Sequence, residues 1–161
     1  MEVVTEYAAW LERLRATYDA VRFTCWHRIG DDNLGAQVAV HVVAGLIASP
    51  RVFRYQGLPF SGRVGTLAEP LIAEALAGQL APARSFEGLR DALIALPPLM
   101  QQVLVLSCVH GRDDARVGTL LGCPELEAAG LRLAVLARLG EIAELAHVVP
   151  PPRDAELRDL R

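Results

Sequence analysis

Few residues in this chain bring reactive groups together. Cys25-Trp26-His27 is a run that joins a thiol to an imidazole. Consecutive residues on a helix point apart, so the run offers neither shared metal coordination nor a nucleophile with its base. His41 falls on the apolar face of Leu34 and Val38 and reads as a satisfied core histidine; His110 beside Gly111 reads as a helix-end residue. Cys25, Cys108 and Cys123 are widely separated and form no C-x-x-C pair, which excludes a disulfide framework and a zinc ribbon. Each lies in an apolar stretch, where a thiol acts as a small hydrophobe. With no phosphate loop and no nucleophile beside a base, no catalytic, cofactor-binding or metal-binding residues are assigned. The chain is expected not to be an enzyme.

Two other groups of residues could recognise nucleic acid. All 16 basic residues are arginine, a side chain suited to bidentate phosphate contacts. The abundance of alanine, leucine, valine and glycine makes coding bias the plainer reading. A formal charge of −3 argues against a broadly basic surface. Phe53, Tyr55 and Phe60, with Arg51, Arg54 and Arg63 nearby, could stack on unpaired bases; hydrophobic anchoring of a long loop is the default.

The elements that position these residues follow from apolar spacing. Tyr7, Trp10, Leu11, Leu14, Tyr18, Val21 and Cys25 recur at three- and four-residue steps, which predicts a helix over 5–29. Gly30-Asp31-Asp32-Asn33 breaks it and supplies a cap for the next helix, over 34–48. That second helix is apolar almost all round and must be buried on every side. Pro50, Gly57, Pro59, Gly62 and Gly65 mark 49–65 as loop, and 66–77 returns to helix. A boundary is expected at 78–84, around Pro82. Ser85 then caps a short helix over 86–95, which Leu96-Pro97-Pro98 ends. A helix over 99–109 carries the apolar run Val103-Leu104-Val105-Leu106 and stops at His110-Gly111. A short helix over 113–121, the turn Gly122-Cys123-Pro124 and a long helix to about Ala146 complete the pattern.

The expected fold is therefore all-α, with two small helical modules at 1–80 and 85–148 and a disordered, proline-rich and charged tail at 149–161. No basic start followed by an apolar core is present, and no apolar run approaches the roughly 20 residues of a membrane span. A cytoplasmic protein without membrane contact is expected.

The wording LPPLMQQVLVLSCVHG, then RDDARVGTLLGCPE, then a long helix has helix-turn-helix spacing. Over roughly residues 90–140 it resembles the fourth conserved region of bacterial sigma factors, especially the extracytoplasmic-function group. Leu96-Pro97, Gly111 and Val117-Gly118-Thr119-Leu120-Leu121-Gly122 carry the likeness. The first module resembles the second conserved region of that family through Tyr18, Arg28-Ile29-Gly30-Asp31 and Leu34. Phe53-Arg54-Tyr55-Gln56-Gly57 stands where the promoter-melting loop begins. The resemblance implies a role in transcription, with RNA polymerase and DNA as partners.

Several departures redirect that expectation. Ala36, Gln37, Val40 and His41 replace the acidic and glutamine cluster on which the family's core polymerase docks, and Gly65 to Leu67 stand near its missing tryptophan. Pro124, Glu127, Ala129, Leu131 and Ala134 replace the hydroxyl, threonine and basic residues that reach DNA. Phosphate contacts need donors and positive charge, and glutamates at the start of this helix repel DNA. Leu126, Leu131, Leu133, Val135, Leu136, Leu139 and Ile142 point almost all round the helix. One face packs on the helix-turn-helix core; the other needs cover from a partner, a second copy or the first module folded back. Gly130 and Gly140 weaken the helix and permit close packing.

The expectation is a sigma factor-like, transcription-associated protein with a degraded DNA-reading helix. It acts through protein contacts with RNA polymerase, a sigma factor or another regulator, and Leu126, Leu131, Val135, Leu139 and Ile142 form the partner surface. Arg116, Arg132 and Arg138 are the residual candidates for weak DNA contact. The alternative is a helical assembly module, a homodimer or obligate partner that keeps only the fold. A functional DNA-binding sigma factor ranks third.

Overall fold

A computed structural model describes residues 2–50 and 62–148, and the elements and contacts that follow are those of the described residues. The chain is all-α. Seven α-helices follow in order: α1 (Glu2–Ile29), α2 (Asp32–Ala48), α3 (Arg63–Leu76), α4 (Phe86–Ile94), α5 (Pro98–Leu104), α6 (Asp114–Leu121) and α7 (Glu125–Glu144). A π-helical turn (Val105–Val109) continues α5. No strand occurs among the described residues, only a single bridge between Ala83 and His147.

The stripe on α1 folds as its spacing requires: Tyr7, Trp10, Leu14, Tyr18, Val21 and Cys25 are all buried. Asp31 then caps α2, accepting from the Leu34 amide at 3.0 Å. The two helices approach closely because Gly35 lacks a side chain. A Cβ there would lie 3.1 Å from both the Arg22 carbonyl oxygen and the Trp26 amide nitrogen. α2 is buried through most of its length, from Gly35 to Ile47. α3 begins at Arg63, three residues ahead of the expected start, so Gly65 is helical rather than part of the loop. Gly62, at φ 56, makes the break instead. Leu67 packs over Gly45, where a Cβ would meet its methyl at 3.3 Å.

α4 lies along α1. The Tyr7 hydroxyl donates to the Leu93 carbonyl at 2.6 Å, and Tyr18 stacks on Phe86 with centroids 4.5 Å apart. Arg15 reaches Glu87 at 3.2 Å. The π-helical turn brings the His110 amide back to the Val105 carbonyl at 2.8 Å and ends beside α1, where the His110 imidazole pairs with the Glu6 carboxylate.

The segment between the expected modules is docked. The His41 Nε2 lies 2.7 Å from the Ala81 carbonyl oxygen. The Arg84 amide donates to the Ala146 carbonyl at 2.8 Å, and the His41 and His147 rings are 5.6 Å apart. α7 packs on α2, α4 and α5 as well as α6. The described residues of the two expected modules therefore share one continuous apolar core, which runs from Tyr7 to Ala146. No single described helix is long and apolar enough to cross a membrane; α4 and α5 with the π turn pass only as a pair bent by 106°. The tail at 149–161 lies outside the described residues.

Candidate functional site

The α6–α7 unit is built by two glycines. Asp113 caps α6 by accepting from the Arg116 amide at 2.8 Å. Gly122 ends the helix in the left-handed region at φ 74, a conformation open to glycine at no steric penalty. Three residues, Gly122, Cys123 and Pro124, separate α6 from α7. The turn lies directly against α6 at Gly118, where a Cβ would be 2.6 Å from the Cys123 carbonyl oxygen. Val117 and Ala128 are fully buried on α6 and α7.

This packing divides the expected partner surface. Leu126 is 85 % exposed and Leu131 is half-buried, whereas Val135, Leu139 and Ile142 lie in the core. These three are not available to a partner, because the chain supplies the cover itself: the first module folds back and α2 packs on α7. Apolar residues around a whole helix show that cover is needed but not who provides it. The surface left open carries Leu126 and Leu133, the latter 59 % exposed, seven residues apart on one stripe with exposed Gly130 between them. Gly130 and Gly140 do not serve close packing, since nothing lies within 4 Å of a Cβ at either.

The three arginines do not make a basic edge. Arg132 is held by Asp114 through two bonds of 2.8 and 3.2 Å, which raises its pKa further. Arg138 pairs with Glu141 at 2.9 Å. Arg132 and Arg138 are six residues apart, about 240° around the axis of α7, and Arg116 is exposed on α6. An open hollow of about 410 Å³ between the helices is lined by Asp114, Glu125, Leu126 and Ala129. The leading end of α7 is therefore acidic and apolar, with Glu127 adding a further carboxylate.

Other singled-out residues are placed as follows. Cys25 points inward, and burial pushes its thiol up to about 11. Its neighbours Trp26 and His27 face outward and join Phe23 in an exposed aromatic cluster, with the Phe23 and His27 rings 4.4 Å apart. Phe23 was not singled out from the sequence, although its i,i+4 spacing to His27 signals the contact. Ala36, Gln37 and Val40 line a cleft beside the docked 78–85 segment and His41 bonds to that segment, none of the four being fully exposed. Phe53, Tyr55 and Phe60 lie outside the described residues. Among the described residues no three histidine, cysteine or acidic side chains converge as metal ligands.

No family model, curated protein or solved structure matches the chain.

Proposed function

We propose that this is a sigma factor-like, transcription-associated protein with a degraded DNA-reading helix that acts through protein contacts. The observation that carries the reading is the α6–α7 unit. Its three-residue glycine turn and close approach support a helix-turn-helix reading, while its leading surface presents Glu125, Leu126, Glu127 and Leu133. Binding to a duplex needs several free cations at that surface, whereas Arg132 and Arg138 are paired with carboxylates and, among the described residues, only Arg116 of the three candidates is not. An exposed leucine pair beside two carboxylates instead suits a protein partner with an apolar groove and a basic rim.

The test has two arms. Anisotropy of a labelled mixed-sequence duplex, read between about 50 and 200 mM salt, should show no binding. Purified RNA polymerase core, holoenzyme and free sigma factor should then be passed over the immobilised protein. Binding to at least one of them, lost in Leu126→Asp and Leu133→Asp, is the expected result. Steeply salt-dependent duplex binding would instead support a working sigma-like DNA role. Failure to bind any transcription component would sink the proposal.

A second reading, a helical assembly module that keeps only the fold, draws on the same stripe. Leu126 and Leu133 on one helix could pair with their copies across a two-fold axis. Sedimentation velocity over a wide concentration range discriminates the two, since a monomer throughout would count against self-assembly.

A further inference from the structure

A second hollow shares no lining residue with the α6–α7 surface. A cleft of about 360 Å³ opens where α1, α2 and the 78–85 segment meet. Its polar lining is Tyr18 and Arg22 from α1, Asn33 and Gln37 from α2, and Arg84 and Ser85 from the docked segment. Ala36, Val40 and Ala83 supply an apolar wall. Three separate stretches of chain thus converge on one cavity of the size that holds small ligands.

The lining is rich in donors and carries two guanidinium groups. Asp32 compensates the charge of Arg22, so Arg84 carries the cleft's net positive charge. Arg22 is held by Asp32 through its Nε and Nη2, at 2.9 and 2.8 Å, which fixes the guanidinium and leaves Nη1 outside that pair. Arg84 is exposed. Ser85 is the N-cap of the nine-residue α4, yet its hydroxyl makes no capping bond. Arg84 offers a guanidinium fork that matches phosphate oxygens; Arg22, its fork taken by Asp32, has only Nη1 to donate, and the amides of Asn33 and Gln37 can bond the rest of a ligand. Tyr18, 9 % exposed and stacked on Phe86, gives the cleft a rigid aromatic edge.

We propose that this cleft binds a small organic phosphate, with the phosphate held by the charge of Arg84 and a single donor, Nη1, of Arg22, and an apolar body against Tyr18 and Val40. Such a ligand touches the docked segment, α1 and α2 together, so binding holds that segment down. The backbone of Arg84 is also bonded to Ala146 at the end of α7, so occupancy favours the closed arrangement of the whole chain.

Phenyl phosphate is the probe, titrated into the full chain by calorimetry at constant ionic strength, with inorganic phosphate and benzoate in parallel. Saturable binding of phenyl phosphate is expected, with benzoate at least about tenfold weaker. Arg84→Ala should weaken binding by about tenfold or more, and Gln37→Glu, nearly isosteric but anionic, should abolish it. The bound protein should also exchange the Arg84 amide more slowly. Circular dichroism establishes that each variant is folded; Arg84→Ala, at an exposed position, decides the matter alone if Gln37→Glu is not. Non-saturable heats, equal affinity for benzoate, or wild-type affinity in folded Arg84→Ala would each overturn the assignment.

Discussion

Gly118 and Gly130 both sit inside helices, and replacing each by alanine should move stability in opposite directions. Alanine is favoured over glycine in a helix interior by about 1 kcal/mol, and the loss of unfolded-chain freedom is common to both substitutions. These terms cancel in the comparison and leave the steric one. At Gly130 the new methyl meets nothing within 4 Å, so Gly130→Ala should stabilise by about the full 1 kcal/mol. At Gly118 the methyl would lie 2.6 Å from the Cys123 carbonyl oxygen, 3.3 Å from the Pro124 carbonyl carbon and 3.4 Å from the Glu125 nitrogen. All three are backbone atoms of the turn into α7, so no flexible side chain can swing aside. Relieving such a contact typically costs about 1–3 kcal/mol, which should make Gly118→Ala less stable than Gly130→Ala by that amount. For a chain of this size the difference is about 2–4 °C in Tm per kcal/mol. Urea unfolding followed by circular dichroism reads it directly, provided the transition is two-state. If Gly118→Ala proves as stable as Gly130→Ala, the close approach of α6 to the turn is wrong.

Three further outcomes follow from named contacts. Tyr7→Phe removes the 2.6 Å bond to the Leu93 carbonyl and leaves that buried acceptor unpaired, so urea unfolding should show a loss of about 1–3 kcal/mol; an unchanged midpoint would remove this bond from the α1–α4 contact. Arg22 lowers the pKa of Asp32 and Arg28 lowers that of Glu69, each chiefly by hydrogen bonding. Their stabilisation is complete above the unfolded values of about 4 and is lost as pH falls through the lower folded values. Arg22→Gln and Arg28→Gln should therefore shrink the fall in Tm between about pH 6 and pH 2, and an acid limb identical to wild type would refute the pairing. Burial holds the Cys25 thiol at about 11, and Cys108 is buried too, so a thiol reagent near neutral pH should modify half-buried Cys123 first. Equal rates at all three cysteines would contradict the packing of α1.

How much could be read from the sequence depended on whether one residue type had one local meaning. The α1 stripe did, because Tyr7 to Cys25 at helical steps admits a single buried face. The break and cap within Gly30–Asn33 and the turn at Gly122–Pro124 did as well, although only the structure picks Asp31 as the cap. α7 did not. Its leucines surround the axis, and only the tertiary arrangement decides that Val135, Leu139 and Ile142 go inward while Leu126 and Leu133 stay out. Glycine was ambiguous for the opposite reason. In a sequence Gly118 and Gly130 are the same helix defect, yet one is required by a neighbouring carbonyl and the other touches nothing. The docking of 78–85 was hidden because its bonds use backbone carbonyls and amides, at Ala81, Arg84 and Ala146, which every residue possesses. The phosphate cleft was hidden too, because its lining is scattered between residues 18 and 85 and no short motif contains it.

The closed core also bears on which surface a partner can use. The resemblance places polymerase docking at Ala36, Gln37, Val40 and His41, and those residues face the docked segment and the cleft. The cleft between them admits a small ligand, but a protein seated on all four must displace the docked segment. Fully uncovering one valine or leucine costs about 1.5–3 kcal/mol, so exposing only two leaves the open form at about one molecule in a hundred or fewer. A partner binding there would have to prefer the open form by at least that margin before showing any net affinity. Leu126 and Leu133 carry no such penalty, because they are exposed in the closed form. A contact through the outer stripe of α7 is therefore the energetically open route. A ligand in the cleft would widen the gap, since it binds only while the segment is down. Leu126→Asp and Leu133→Asp should accordingly disrupt partner binding whether or not phenyl phosphate is present, whereas a partner seated on α2 would be displaced by it.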